Sequence, residues 1–476
     1  MRAISRLARA CTAHWRTGLL GFSLCAVLAA CGGDGGSETP ATPASPPPPV
    51  AGGPAPAGPV ARYSVGGTIA GLISGTQVTL LNKGGDTLTV NANGTFGFST
   101  AIASGSGYAV SVGTQPQGQT CTVSNDSGTI AASNVSSISV TCTRIAYAYV
   151  VNQGADTISQ YTIGADGALT PMATAGVNAG NYPSSVVVDR AGKYAYVANT
   201  LDNTVSQYTI GADGALSPMA TASVGTGAAP VSVTVDPSGK YAYVTNQVSR
   251  SISQYTIGAD GALSPMATAS VNISGNSNSV VVDPSGKYAY AACYSNNTVS
   301  QFTIGADGAL SPMATASVNT GTMPEFITAD PTGKYVYVAN QNSNNISQYT
   351  IGADGALSPM TTATVSTGVN PKSIAVDTTG KYAYVVNEGD NAVSQYTIGV
   401  DGALAPMATA GVSVGNVPIS ITVDPSGKYA YVANYGGGSV SQFTIGADGA
   451  LSPMSSASVG AGILPIFVTT TYAATH

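Results

Sequence analysis

One short pattern, Tyr-x-Tyr followed by a small apolar pair and usually Asn, recurs at an unbroken spacing of 47 residues. Its first tyrosines are Tyr147, Tyr194, Tyr241, Tyr288, Tyr335, Tyr382 and Tyr429. Self-similarity at a fixed period of about 20 to 50 residues marks a repeat architecture, because each unit is one supersecondary element that buries its faces only against its neighbours. The composition agrees. Only 8% of residues are charged and Tyr outnumbers Phe 25 to 7, the profile of a β-rich extracytoplasmic protein.

The second unit can be read strand by strand. Ser185 to Val188 is a β-branched run (strand A), Asp189-Arg190-Ala191-Gly192-Lys193 a turn, and Tyr194 to Ala198 strand B. After a polar loop, Thr204 to Ile210 predicts strand C; Gly211-Ala212-Asp213-Gly214 turns the chain, with glycine supplying positive φ. Strand D then starts near Leu216 and runs through Met219 toward Val224. Four antiparallel strands per unit make a propeller blade, so residues 144–476 are expected to form an all-β, seven-bladed β-propeller.

Blades stack, so both faces of each sheet must be apolar or small. Tyr194 and Tyr196 point one way and Ala195 and Val197 the other, which assigns the tyrosines to packing. The first unit has no strand A before Tyr147. That strand appears at the far end of the chain, where Pro465-Ile466-Phe467-Val468-Thr469 stands 47 residues after Pro418-Ile419-Ser420-Ile421-Thr422. The C-terminal strand is therefore expected to complete the first blade and remove the open sheet edge.

Tyr241-Ala242-Tyr243-Val244-Thr245-Asn246 resembles the YVTN repeat of bacterial propellers. The sevenfold Gln-Tyr/Phe-Thr-Ile-Gly-x-Asp-Gly-Ala-Leu-x-Pro-Met stretch resembles the lactonase-type propeller family, which includes one class of 6-phosphogluconolactonases. The resemblance implies a seven-bladed fold over residues 145–476 and, more loosely, lactone hydrolysis.

The N-terminal part reads differently. Arg2, Arg6, Arg9 and Arg16 precede an apolar run from Gly18 to Ala30, within signal-peptide length and too short to span a bilayer. It ends Leu28-Ala29-Ala30-Cys31, which resembles the lipobox of bacterial lipoproteins and implies cleavage before Cys31 and a lipid on its thiol. Gly32 after the cysteine resembles lipoproteins sorted to an outer membrane. Residues 1–30 are thus expected as leader and 31–60, with Pro46 to Pro49, as a disordered tether. Residues 61–143 alternate in short strands with turns such as Asn93-Gly94, predicting a small β-sandwich that resembles Ig-like or prealbumin-like modules. Cys121 and Cys142, in strand-like contexts, are expected to pair in an oxidising compartment, a closure worth about 3 kcal/mol.

Composition excludes some functions. A pI near 4.8, and a net charge falling from −6 to about −10 once the leader arginines are removed, argue against nucleic acid as a partner. Beyond the leader the only histidine is His476, so no imidazole base, His triad or His-rich metal site is expected, and no metal or cofactor is called for. Cys293, which takes the place of an Asn in its blade, reads as a buried substitution rather than a nucleophile.

Symmetry filters the candidates. A residue present in every blade serves the blade, whereas an asymmetric reaction needs positions where blades differ. Gln160, Gln207, Gln254, Gln301, Gln348, Gln395 and Gln442 form a complete ring, as do Asp166 and its equivalents; both rings are assigned to backbone hydrogen bonding. The A–B and C–D turns lie on one nearly uniform rim, with lysines such as Lys240, Lys287 and Lys428 expected to pair on the surface with Asp236, Asp283 and Asp424. The B–C and D–A loops lie on the opposite, variable rim.

The titratable groups of the variable rim are Asp156, Asp202, Arg250, Glu325, Lys372, Glu388 and Asp390, the candidate binding residues. Glu325 and Lys372 occupy equivalent positions of adjacent blades near the axial mouth, as an ordinary ion pair or as a ligand clamp or acid/base pair. The leading reading is a monomeric, membrane-tethered binding module whose variable rim meets a protein, carbohydrate or small-molecule ligand. The alternative is a lactone hydrolase using Glu325 with Arg250 or Lys372, and a third is a purely structural envelope protein.

Overall fold

The computed structural model describes residues 45–46 and 58–474. The expected leader, the lipidation site Cys31, most of the tether and His476 lie outside the described residues. Strands are the only regular elements among the described residues.

Seven four-stranded antiparallel sheets form the propeller. In the second blade strand A is Pro183–Val188, B Tyr194–Asn199, C Thr204–Ile210 and D Leu216–Gly225, in that order across the sheet. Blade 1 is completed from the far end of the chain. Pro465–Tyr472 lies antiparallel to Ala146–Asn152, pairing Ala146 with Tyr472 and Asn152 with Pro465. The closing strand therefore removes the edge that strand B of blade 1 would otherwise present.

Between blades, the tyrosine face of one sheet packs on the Ala/Val face of the next. Tyr196 shares a core with Ala242 and Val244, and Tyr337 with Ala383 and Val385. Each strand-B tyrosine also donates its hydroxyl to a turn carbonyl of the following blade, as Tyr243 does to Gly308 at 2.7 Å and Tyr431 to Gly167 at 2.7 Å. Gly308 has φ 81° and lies under the Tyr241 ring, so this turn accepts glycine alone. Burial, with Asp236 and Tyr241 nearby, pushes the Tyr243 phenol above its ordinary range.

The glutamine ring repairs a register defect. In every blade the C–D ladder shifts around the glutamine, for example between Ser206 and Tyr208. Gln207 donates to the Thr221 carbonyl of its own strand D, and its Oε1 accepts the Leu263 N–H of the next blade at 2.6 Å. Gln442 closes the circle onto Leu169. Full burial makes each of these bonds expensive to lose.

The A–B turns correct one expectation. Asp236 is buried, its Oδ1 accepting the Lys240 and Tyr241 N–H groups and its Oδ2 that of Ser238. Asp283 and Asp424 do the same. These carboxylates are spent on orphan backbone donors, and no turn lysine is ion-paired among the described residues.

Residues 62–144 form two four-stranded sheets and a two-stranded one, which share an apolar core that includes Val65, Val78, Leu80, Val110 and Val140. Cys121 and Cys142 stand opposite each other on paired strands and are joined by a disulfide. At the junction with the propeller, the Arg144 guanidinium lies 3.9 Å over the ring of Tyr472 in the closing strand.

Candidate functional site

The seven A strands line the propeller axis, and the second residue of each reaches one shared cavity on the variable rim. Its volume is ≈ 290 Å³. At 47-residue steps the ring reads Ser184, Val231, Asn278, Glu325, Lys372, Ile419 and Ile466. The polar members Asn278, Glu325 and Lys372 are contiguous on blades 4 to 6, and the bulky apolar members Ile419 and Ile466 are contiguous on blades 7 and 1. Below them comes a ring dominated by serine. The hydroxyls of Ser185, Ser232, Ser279, Ser373 and Ser420 each accept an N–H from the next blade's strand A.

One connected polar chain occupies the charged side. Gln247 Nε2 donates to Asn278 Oδ1 at 2.7 Å, and Asn278 Nδ2 donates to Glu325 Oε2 at 2.8 Å. Glu325 Oε1 lies 3.6 Å from the Lys372 ammonium, which is also 3.4 Å from Glu388 Oε2. These are the only ion pairs among the described residues. The three side chains are 16–29% exposed, so the charges are partly desolvated yet open to a ligand. Their sum is one negative charge. Such a cluster offers a cation for a polarised carbonyl and carboxylates that accept hydroxyl or water protons.

Glu325, Lys372 and Glu388 thus meet; the other four candidates do not join them. Asp156 and Arg250 stand at one blade position, which is Asn203, Asn297, Asn344 and Asn391 in four other blades and Gly438 in blade 7, always with positive φ. There the side chain ties down the following D–A loop: Asp156 Oδ1 accepts the Tyr182 N–H at 2.8 Å, as Asn203 accepts that of Ala229. Asp202 and Asp390 share the preceding position with Ser249 and Ser343, and all four accept a D–A loop N–H. Variation among Asp, Asn and Ser here preserves an acceptor, which the filter for variable positions mistakes for specialisation. In the same register Glu388 aligns with Gln153 and Gln247.

Arg250 and Gly438 are the exceptions, since a guanidinium cannot accept and glycine has no side chain. The loop that Arg250 should tie departs from the pattern: Ser277 replaces proline, Asn276 is not left-handed, and its N–H goes to Ser295 Oγ instead. Arg250 itself is exposed. Asn278 follows Ser277 rather than a proline, yet the 47-residue step places it in register with Glu325 and Val231. Like Asn278, Gln247, Phe326 and Phe467 lie outside the candidate binding residues read from the sequence. Cys293 is buried, 3.4 Å from Ser300 Oγ, where other blades place Asn, and it does not reach the cavity. Among the described residues no three His, Cys, Asp or Glu side chains converge as metal ligands would.

The family model described as lactonase, 7-bladed beta-propeller matches residues 138–275, 208–363 and 351–462. Among solved structures, a putative 6-phosphogluconolactonase from Bacteroides fragilis is 21% identical with a TM-score of 0.61, covering 68% of this chain and 98% of its own. The periplasmic gluconolactonase of Pseudomonas aeruginosa is 20% identical with a TM-score of 0.61, covering 69% and 99%. A functionally unknown protein from Desulfotomaculum acetoxidans, 18% identical with a TM-score of 0.57, covers 68% and 99%. No curated protein matches the chain significantly.

Proposed function

Because the chain belongs to the lactonase family of seven-bladed β-propellers, we propose that its axial mouth binds and hydrolyses a small uncharged lactone. The observation that carries this reading is the Glu325–Lys372–Glu388 cluster, which is unique in the propeller and opens into its axial cavity. In the proposed step Glu325 takes a proton from water as the water oxygen attacks the lactone carbonyl. The Lys372 ammonium faces the oxyanion of the tetrahedral intermediate, and Glu388 holds that ammonium in place. The ring C–O bond then breaks, and the departing alkoxide recovers the proton from Glu325, giving the hydroxy acid. A phosphorylated substrate fits poorly, because recognition of a phosphate dianion calls for several cations and Lys372 already serves two carboxylates.

Turnover of unphosphorylated lactones, followed by proton release, tests the reading. Glu325→Gln is expected to lower kcat by about 10²- to 10⁴-fold with its melting temperature retained. Full activity in that variant would reject Glu325 as the base.

A second reading has its own support: Lys372 is already flanked by both carboxylates, and Glu325 also holds Asn278, so the cluster is satisfied without a substrate. This is the binding module displayed on a membrane tether through Cys31. Its anchor is tested by Cys31→Ser, which should move the protein from the membrane to the soluble fraction; a wild type already soluble and unlipidated would remove the tether from the proposal.

A further inference from the structure

The cavity is charged on one side only, and that asymmetry bears on the substrate. Ile419 and Ile466 face it from blades 7 and 1, following Lys372 of blade 6 around the ring. Beneath them the serine ring is broken. At Phe467, and at Phe326 on blade 5, a half-buried phenyl stands where five blades place a hydroxyl that accepts the neighbouring N–H. Those two sites forgo an inter-blade hydrogen bond and expose aromatic carbon to the cavity, a poor exchange for the fold alone.

The same sector is stripped at the rim. Where other blades carry the loop-tying pair, as in Asp202–Asn203 or Asp390–Asn391, blade 7 carries Gly437–Gly438. With Gly436 they floor a groove walled by Tyr435, Leu464 and Ile463, the last 63% exposed. Leu464 is two residues from Ile466. The side chains of Ile466 in the cavity and of Leu464 and Ile463 in the groove thus form an apolar track in the sector between blades 7 and 1, and no charged side chain lines the groove.

We propose that the substrate is a lactone bearing an alkyl arm, its ring held at Glu325 and Lys372 and its arm laid over Ile466 and along the Gly436–Gly438 groove. This rests on the hydrolase reading above and narrows it away from polyhydroxylated sugar lactones, whose hydroxyls would find no partner on the side chains of Ile419, Ile466, Leu464 and Ile463.

The test compares γ-butyrolactone, γ-hexalactone, γ-decalactone and glucono-δ-lactone on the whole protein. The kcat/KM is expected to rise with arm length by up to about fourfold per buried methylene, and γ-decalactone to exceed glucono-δ-lactone. Gly437→Asp, which installs the residue that blades 2 and 6 carry there, and Ile466→Ser, which installs that of blade 2, should each bring the γ-decalactone to γ-butyrolactone ratio back toward one. Flat chain-length dependence, a preference for glucono-δ-lactone, or a ratio unchanged in both variants overturns the arm while leaving hydrolysis standing. If nothing is turned over, the hydrolase reading fails and calorimetric affinity decides: tighter binding of γ-decalactone than of γ-butyrolactone, weakened in Gly437→Asp, upholds the apolar track, and equal or absent binding overturns it.

Discussion

The belt between blades and the mouth on the axis are built from the same 47-residue step, yet they obey opposite rules. In the belt every blade supplies the same glutamine, and the strand-B tyrosines recur, each making the same bond to the next blade. At the mouth the seven equivalent positions carry six different residues, and one arc gathers the only ion pairs of the described residues. Repetition therefore stabilises the ring, and departure from repetition equips it. The comparison has an intermediate zone as well. Most B–C loops vary in residue type but keep one acceptor, blade 7 with its Gly437–Gly438 excepted, so sequence variation alone does not separate recognition from scaffolding.

The widest break in this contrast comes from the closing strand. A chain ending at Gly462 loses the partner of Ala146–Asn152, leaves strand B of blade 1 as an open edge and leaves that blade with three strands. It is expected to lose its cooperative thermal transition; a truncated protein that melts with the intact one would show that the ring does not depend on closure.

A single belt residue should cost less and still be plain. Gln254→Ala strands the buried Leu310 N–H and removes the donor to the Thr268 carbonyl on strand D. A loss of about 2–4 kcal/mol is expected by denaturant unfolding, without a change in ligand affinity. A neutral result would mean that water or a shifted strand replaces the amide.

The smallest effect belongs to the uniform rim. Reversing Lys240, Lys287 and Lys428 to Glu should change stability by no more than about 0.5 kcal/mol each, because their aspartates bind backbone N–H groups rather than the ammonium groups. Substrate turnover should be untouched. If the lysine variants abolish activity while Glu325→Gln does not, the functional face has been assigned to the wrong rim.

Much of this was legible in the chain. Closure followed from finding Pro465-Ile466-Phe467 in register with Pro418-Ile419-Ser420. The adjacency of Glu325 and Lys372 followed from their 47-residue separation, since one step in sequence is one step around the axis. Asp156, Asp202 and Asp390 each accept a loop N–H, and nothing in a lone sequence tells such a carboxylate from one that awaits a ligand. Both are exposed, variable and acidic.

The sequence by itself determined the blade, the number of blades and the way the circle shuts, because those depend on contacts repeated at a constant chain separation. Only the tertiary structure decided which one-off residues converge. Glu388 reaches Lys372 from a B–C loop, Asn278 links Gln247 to Glu325 across three blades, and Phe467 sits beneath Ile466 on the bare side. The physical reason is closure itself. Bringing seven strand ends to one axis juxtaposes side chains whose chain separations carry no local signal, and their chemistry is set by neighbours that only the closed ring supplies.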